Sequence, residues 1–292
     1  MSDRIFGFIG LGDMGAPIAT RLIEQGCKVV VYDINSAVGQ QLAGLGGTEA
    51  ASVAEVASKA DVVFACLPTP AICVAGATEF AASPTRRATV YAEMSTVGVK
   101  TICEIEAVLA KAVVALIDSP ISGGPKAVPL GKLTCLASGP TDAVEAARPA
   151  YDAVAGQFFH LSEKVGTAQT MKVGNNLLAA YNLAITSEIV CMLERAGVKP
   201  AVAIDVINAS TGRNRASEVH FPTQIFTGLF SQGARLEILA KDTQLAAEAA
   251  EVHDAPFALG NAVRDAWAAA DADGFGERDI TAIYQWTKTL RR

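Results

Sequence analysis

A lysine and an asparagine stand four residues apart in the segment KVGNN, at Lys172 and Asn176. Residues i and i+4 share one face of a helix, so this amine and this carboxamide would project together. Such a pair can exchange a proton with a substrate hydroxyl and hold that hydroxyl in place. A general-base lysine must be partly neutral, which requires burial or nearby positive charge to lower its pKa. A solvated surface lysine is the alternative, but the apolar neighbours and two adjacent asparagines, which are poor helix formers, favour a functional pair.

The sequence GLGDMG at 10–15 lies between an apolar segment and a helical one. In a G-x-G-x-x-G motif, the first glycine makes a tight turn, the second admits a pyrophosphate and the third lets helix and strand pack closely. The N-terminus of the helix then supplies N–H groups and the positive end of the helix dipole. We therefore predict a dinucleotide site at Gly10, Gly12, Asp13, Met14 and Gly15.

Asp33 ends the second apolar segment, about 20 residues beyond the glycine motif. A carboxylate there can accept hydrogen bonds from both adenosine ribose hydroxyls, and it would repel a 2′-phosphate. No Arg or Lys follows directly, since the next residues are Ile34 and Asn35. The position favours NAD over NADP. An Asp that only starts a turn before a helix is the alternative.

Further candidates follow later apolar segments, where ligands lie beyond the carboxyl ends of the strands of an open α/β sheet. Thr96 ends one such segment and could reach the nicotinamide or its ribose, although a helix cap is the alternative. Ser122, Gly123 and Gly124 follow another. Their hydroxyl and backbone N–H groups could form a concavity that binds the carboxylate of a small substrate, with a plain turn as the alternative.

Lys241 and Asp242 interrupt a helix of Ala and Leu. This lysine could close over the cofactor or the substrate, and a surface ion pair is the alternative. We predict no metal site, because His160, His220 and His253 are far apart in the sequence, without a Cys cluster or an H-x-x-x-H motif.

The first half of the chain alternates apolar strands with helices, which indicates a parallel sheet covered on both faces. The predicted strands are 4–10, 28–33, 61–67, 89–94, 113–118, 133–138 and 157–161. The predicted helices of this half are 14–25, 52–60, 99–111 and 141–155. The fold class is therefore α/β, an N-terminal Rossmann-type doubly wound sheet.

A nearly unbroken helical composition begins at Thr167 and continues to Ala196, between Gly166 and Gly197. Helices then follow, without a convincing strand after Ser162. We predict a dinucleotide-binding domain at 1–163 and an all-helical domain for substrate binding and oligomerisation at 164–292, opened by one long helix. The short link between them predicts closely packed domains with a cleft.

The composition excludes several classes of protein. Hydrophobic residues make up 51% of the 292 residues and charged residues 18%, which excludes a disordered chain. A net charge of −6 argues against nucleic-acid partners. The N-terminus lacks signal-peptide features and the most apolar stretch, 177–193, carries polar residues, so we expect a cytoplasmic protein without a membrane span. The six cysteines are predicted to be reduced core thiols.

Together these motifs resemble the β-hydroxyacid dehydrogenases, the family of 3-hydroxyisobutyrate dehydrogenase. The resemblance covers nearly the whole chain and depends on GFIGLGDMG at 7–15, Leu67-Pro68, Ser95-Thr96, DSPISGG at 118–124, KVGNN at 172–176 and Lys241-Asp242. Ala179 stands where the related 6-phosphogluconate dehydrogenases carry an acidic residue, which argues against that chemistry here.

The resemblance implies hydride transfer between NAD and a small 3-hydroxy carboxylic acid, with Lys172 as the acid/base residue and Asn176 orienting the substrate. It implies Ser122, Gly123 and Gly124 as the carboxylate-binding residues. It also implies a homodimer or homotetramer formed through the helical domain. The cofactor contacts that it adds are Leu67, Pro68, Thr96 and Lys241.

Three other functions remain open at this point. A reductase of small aldehydes or semialdehydes, such as glyoxylate, succinic semialdehyde or tartronate semialdehyde, would use the same residues. An imine reductase is disfavoured because related enzymes of that type generally lack the lysine. A non-catalytic NAD-binding protein is disfavoured for the same reason, since Lys172 is present.

Overall fold

The computed structural model describes residues 3–290. The chain divides into two compact units, Met1–Lys172 and Val173–Arg292. The first unit contains the sheet and the second is helical.

The sheet of the first unit has the order β3-β2-β1-β4-β5-β6-β8-β7, and β9 pairs with β8. β1, β2, β3, β4, β5 and β6 pair in parallel in that path. The strands are β1 (Ile5–Ile9), β2 (Lys28–Tyr32), β3 (Thr48–Glu49), β4 (Val62–Ala65), β5 (Val90–Glu93), β6 (Ala115–Asp118), β7 (Ile121–Ser122), β8 (Leu133–Ser138) and β9 (Ala155–Ser162).

Both faces of this sheet are buried at its central strands β1, β4 and β5, as the near-continuous apolar strands predict, whereas β9 is largely exposed. Successive residues of a strand point to opposite faces, and in β4 Phe64 packs into one core cluster while Val63 and Ala65 pack into another. Phe8 of β1 stacks on Phe64 at a ring-centroid distance of 6.3 Å. The predicted doubly wound α/β domain is confirmed.

One part of the sheet differs from the predicted parallel arrangement. β8 runs antiparallel to β6 and to β7, although β9 is again parallel to β8. A parallel neighbour needs a long crossover, usually a helix, whereas antiparallel neighbours tolerate short connections. Between β6 and β8 the chain forms only β7 and a short 3₁₀ helix, Pro125–Ala127, so it turns back rather than crossing over.

Helices flank the strands of the first unit. Asn35 and Thr69 cap two helices that the sequence analysis missed, by accepting hydrogen bonds from the backbone of Ala37 and Ile72. The helices are α1 (Gly15–Glu24), α2 (Ser36–Gly44), α3 (Val53–Lys59), α4 (Pro70–Ala81), α5 (Gly98–Lys111) and α6 (Thr141–Val154).

The second unit is built of helices around its own apolar core, in which Trp267 is fully buried and packs in a cluster with Leu183 and Phe221. Between residues 163 and 290 the only strand-like feature is an isolated β-bridge of Arg235 with Asp279, so the all-helical prediction is confirmed. The helices are α7 (Thr167–Arg195), α8 (Pro200–Asn208), a π-helix (Ala216–Ile225), α9 (Leu236–Val252), α10 (Ala258–Ala270), a second π-helix (Asp271–Phe275), a 3₁₀ helix (Ile280–Ala282) and α11 (Ile283–Thr289).

The boundary between the compact units falls at 172/173 along the chain, whereas the sequence predicts a boundary at 163/164. The difference arises because the first turn of α7 packs on the sheet unit, through hydrogen bonds that hold Gly166, Ala168 and Gln169. α7 therefore belongs to both units.

By length and composition alone, α7 could cross a membrane, and 33% of its most apolar window is buried. A core helix of a globular protein meets the same criteria. Ala180, Leu183 and Val190 of α7 pack in the core of the second unit.

The cysteines are free thiols, as predicted. Cys73, Cys135 and Cys191 are buried. Cys103 is exposed, so the prediction of a core position is wrong for this residue.

Candidate active site

The glycine motif forms the turn from β1 into α1. Gly10 has a φ of 90°, a left-handed conformation that favours glycine. Within residues 3–290, no side chain caps the N-terminus of α1, and its first turn has no acidic residue. This end of the helix can therefore accept the negative charge of a ligand. Apart from chain neighbours, no described heavy atom lies within 4 Å of the place where a Cβ on Gly12 would be. Asp13 is exposed beside this space and Met14 is half-buried. The turn therefore fits a pyrophosphate.

Asp33 lies beyond the end of β2, beside the glycine turn. Its Oδ2 accepts a hydrogen bond from the backbone N–H of Leu11 at 2.6 Å, and its Oδ1 accepts one from Asn35 at 2.8 Å. The bond to Asn35 is the local turn contact that the alternative interpretation describes. The bond to Leu11 also fixes the carboxylate beside the glycine turn, and its contact with the adenosine ribose stays a prediction.

Ser95 connects the ends of β4 and β5. Its Oγ accepts a hydrogen bond from the backbone N–H of Leu67 at 2.8 Å, and its own N–H donates to Glu93 Oε1 at 2.9 Å. Since β4 and β5 are adjacent parallel strands, Leu67-Pro68 and Thr96 come to the same edge of the sheet. The three predicted cofactor contacts of these loops are thus neighbours.

The Ser122-Gly123-Gly124 segment is fixed by the short strand β7, in which Ser122 pairs with Thr134 of β8. Gly123 and Gly124 have φ values of 132° and 70°. Both glycines are exposed and Ser122 is half-buried. The segment therefore lies accessible at the same sheet edge, directly after β6, and its binding of a small anion stays a prediction.

Lys172 lies in the second turn of α7 and is only 8% exposed. The alternative interpretation, a solvated lysine on a surface helix, is therefore wrong. Removing the hydration of an amine has a large free-energy cost unless the group is paired, so this burial distinguishes Lys172 from an ordinary surface lysine.

The residue that the sequence analysis missed is Gln169, which is completely buried. Its Oε1 accepts hydrogen bonds from the N–H groups of Val97 and Gly98, both at 3.0 Å, at the start of α5. This is the function that a Ser/Thr cap at Thr96 would serve. The signal that the sequence offered for this residue was a glutamine one helical turn before Lys172. Its role could not be predicted, because its hydrogen-bond partners are distant in the sequence.

In the second unit, Asn176 Nδ2 donates a hydrogen bond to Asp242 Oδ2 at 2.7 Å. Asp242 is only 4% exposed, and its Oδ1 lies 3.2 Å from Lys241 Nζ. The ion pair of Lys241 with Asp242, which was the alternative interpretation, exists, but Asp242 is buried rather than at the surface, and its other oxygen orients the carboxamide of Asn176. Asp242 thus joins two predicted site residues for which sequence spacing gave no connection.

The predicted residues form two groups. The first unit gathers the glycine turn, Asp33, Leu67-Pro68, Thr96 and Ser122-Gly123-Gly124 at the carboxyl ends of its parallel strands. The second unit joins Asn176 and Lys241 through Asp242. Lys172 lies on the part of α7 that packs with the first unit. Among residues 3–290, no group of three or more His, Cys, Asp and Glu could hold a metal ion.

Glu93, at the end of β5, is completely buried beside the cofactor loops. Its Oε2 has no hydrogen-bond partner among the described residues. Burial raises the pKa of Glu93 to about 7, although hydrogen bonds from Ser95 act in the opposite direction. The carboxyl group therefore titrates near neutral pH instead of near its ordinary value.

Glu93→Gln is expected to flatten the pH dependence of folding stability. Between the ordinary pKa and about 7, the unfolded chain loses the Glu93 proton while the folded chain keeps it, so stability falls as pH rises through this range. The loss is on the order of 3 kcal/mol. Urea unfolding at pH 5 and pH 8 measures it, and the variant should lose less stability than the parent over this interval.

The control for this measurement is Glu104→Gln, on the exposed face of α5. It should leave the difference between pH 5 and pH 8 as it is in the parent. Equal pH dependence in the Glu93 variant and the parent would show that Glu93 does not titrate in this interval.

Comparisons with known proteins agree with this geometry. Residues 5–162 match the sequence model of the NAD-binding domain of 6-phosphogluconate dehydrogenase, and residues 166–287 match that of the NAD-binding region of NADP-dependent 3-hydroxyisobutyrate dehydrogenase. The chain is 28% identical to 2-(hydroxymethyl)glutarate dehydrogenase of Eubacterium barkeri over 95% of this chain and 92% of that protein. It is 30% identical to NAD-dependent L-serine dehydrogenase of Pseudomonas aeruginosa, over 94% and 95%.

A solved structure shows the same fold throughout. The Mycobacterium tuberculosis 3-hydroxyisobutyrate dehydrogenase, in a structure with L-serine, superposes with a TM-score of 0.89 at 29% identity, covering 99% of each chain. The protein is thus an oxidoreductase with a dinucleotide-binding domain, acting on CH–OH groups. It belongs to the β-hydroxyacid dehydrogenase family.

Proposed function

We propose that this enzyme oxidises a small 3-hydroxy carboxylic acid of the 3-hydroxyisobutyrate type with NAD, and that Lys172 is its acid/base residue. The observation that carries the proposal is the burial of Lys172 on α7, four residues before an asparagine held by Asp242. A buried amine one helical turn from an oriented carboxamide is suited to a substrate hydroxyl.

The substrate class follows from chemistry that the relatives' substrates share. The relatives are named for 2-(hydroxymethyl)glutarate, 3-hydroxyisobutyrate and L-serine. Each compound has a hydroxyl on the carbon next to the one that bears a carboxylate. In this chain, Ser122, Gly123 and Gly124 offer a hydroxyl and backbone at positive φ, which suits that carboxylate.

The chain's own residues move the proton. The substrate O–H bond breaks and its proton passes to Lys172 Nζ, while the C–H bond of the same carbon breaks with loss of hydride and the C–O bond becomes a carbonyl. NAD supplies the hydride acceptor when it is bound. Asn176 keeps the hydroxyl oriented, because Asp242 fixes its carboxamide through a 2.7 Å hydrogen bond. In the reverse direction the ammonium group of Lys172 returns the proton to the forming alkoxide.

NAD is favoured over NADP because of Asp33. Its carboxylate is held at the end of β2 by hydrogen bonds from Leu11 and Asn35. A 2′-phosphate at this position would meet a fixed negative charge, and like-charge juxtaposition costs several kcal/mol.

The test is a panel of substrates with both cofactors, followed by NADH or NADPH absorbance. We expect the largest kcat/KM with a 3-hydroxy acid, and a preference for NAD of about tenfold or more. The panel includes 3-hydroxyisobutyrate, L-serine, glyoxylate, succinic and tartronate semialdehydes and a cyclic imine. A larger kcat/KM for an aldehyde or the imine, or a preference for NADP, would contradict the corresponding part of the proposal.

The homo-oligomer formed through the helical domain and the cytoplasmic location stay predictions. The mass of the protein in solution tests the oligomeric state, and cell fractionation tests the location.

A further inference from the structure

The start of α7 is attached to the first unit by buried polar groups rather than by apolar packing alone. Asp118, at the end of β6, accepts hydrogen bonds at its Oδ2 from the N–H groups of Gly166 and Gln169, both at 3.0 Å. Ser138 Oγ donates to the same oxygen at 2.9 Å and accepts from the N–H of Ala168 at 3.0 Å. The first N–H groups of a helix have no partner within the helix. Here the side chains of Asp118 and Ser138, at the ends of β6 and β8, accept hydrogen bonds from these N–H groups and so fix the position of α7.

The Gln169 carboxamide is the second attachment, and all of its polar capacity is used. Its Oε1 accepts from Val97 and Gly98, and its Nε2 donates to Ser95 O and to Asp118 Oδ1, all at 3.0 Å. An amide has two acceptor and two donor positions, so this set is complete. The orientation is also determined, because a flipped amide would place N–H groups against N–H groups and its oxygen against a carboxylate.

Through Ser95 this network reaches the cofactor loops. Ser95 accepts from the N–H of Leu67, and Gln169 accepts from the two residues that follow Thr96. Lys172 lies one helical turn beyond Gln169 on the same helix. A hydrogen-bonded path therefore runs from the strand ends that carry the predicted cofactor contacts to the turn that precedes the predicted acid/base residue.

We propose that Gln169 is a positioning residue that holds the Lys172 turn of α7 in register with the cofactor loops at Leu67 and Thr96. It does so without touching substrate or cofactor. The proposal depends on the proposed function for Lys172, and it adds a determinant of turnover that lies outside the predicted site. Because a displacement of about 1 Å can cost 10²-fold in rate, loss of this attachment should lower kcat.

The test compares Gln169→Glu with Gln169→Met across pH. A protonated glutamic acid keeps an acceptor for Val97 and Gly98 and donates one hydrogen bond to Asp118, so it replaces most of the amide. An ionised glutamate at position 169 would face the Asp118 carboxylate. The next titratable group of the network is Glu93, which accepts a hydrogen bond from the N–H of Ser95. Burial raises the pKa of Asp118 already, so the pair should hold a proton at low pH.

We expect the kcat of Gln169→Glu to be within about fivefold of the parent at pH 6 and to fall about 10- to 100-fold below it by pH 9. Gln169→Met should have a low kcat at every pH. The matched control is Gln157→Glu on exposed β9, which should follow the parent profile.

A second readout does not require activity. Hydrogen–deuterium exchange of the peptide 95–98, without substrate or cofactor and relative to the parent at each pH, should be faster in Gln169→Met at all pH values and in Gln169→Glu only at high pH. If the parent oxidises no hydroxy acid, the proposed function fails while the exchange result still tests the attachment.

Three outcomes would overturn the positioning role. One is a folded Gln169→Met enzyme with parental kcat. Another is a Gln169→Glu profile parallel to that of the parent. The third is the unfolding of both variants at every pH, which would assign Gln169 to folding alone.

Discussion

Lys172→Ala is expected to lower kcat about 10²- to 10⁴-fold, the usual contribution of a positioned acid/base group. The alanine has no group to take the hydroxyl proton, while the dinucleotide turn at Gly10–Gly15 is untouched. Binding of NADH, followed by its fluorescence, should therefore change little. Steady-state turnover with the best hydroxy acid of the panel measures the loss, and added small primary amines should restore part of it.

The matched control is Lys111→Ala, at the exposed end of α5. It removes the same charge away from the site and should keep parental turnover. Normal turnover in the Lys172 variant would remove Lys172 from the mechanism. Loss of NADH binding together with turnover would instead indicate a role in cofactor binding.

Gly12→Ala is expected to separate cofactor binding from folding. Apart from its chain neighbours, no heavy atom of residues 3–290 lies near the place of the new Cβ, and Gly12 has no positive φ, so the apo protein should melt within a few degrees of the parent. The methyl group would occupy the space proposed for the pyrophosphate. Overpacking costs ~1–3 kcal/mol, which corresponds to about 5- to 150-fold in the Kd of NADH.

Isothermal titration gives the Kd, and Gly44→Ala on α2 is the control. Gly44 also has open space at its Cβ position, and it lies at the exposed end of a helix. That variant should bind NADH as the parent does. If Gly12→Ala leaves the Kd unchanged, the pyrophosphate does not approach the turn at Gly12.

The features that local sequence patterns predict are those that depend on residues close together in the chain. The glycine turn, the carboxylate of Asp33 and most strands and helices of the first unit follow from spacing and from apolar runs. α2 and α4 were also within reach of such reasoning, since Asn35 and Thr69 are ordinary helix caps and Pro70 favours a first helical position.

The features that the sequence left open depend on distant partners. Gln169 binds residues 71 and 72 positions away, and Asn176 meets Asp242 across 66 positions. The reversal of β8 depends on how the chain pairs after β6, which an apolar strand pattern does not encode. The burial of Lys172 likewise required the folded chain.

The two attachments at the start of α7, through Asp118 with Ser138 and through Gln169, have a consequence for hybrids made from two members of this family. The sequence models of the two halves meet between residues 162 and 166, whereas the packing boundary is at 172/173. The stretch 166–172 thus falls within the sequence model of the helical half, while its hydrogen-bonding partners, Asp118 and Ser138, fall within the model of the other half. A hybrid of two relatives joined between residues 162 and 166 would take the start of α7 from one parent. The side chains that accept hydrogen bonds from it would come from the other parent. We therefore expect such hybrids to fold better when both parents carry the same residues at the positions of Asp118, Ser138 and Gln169.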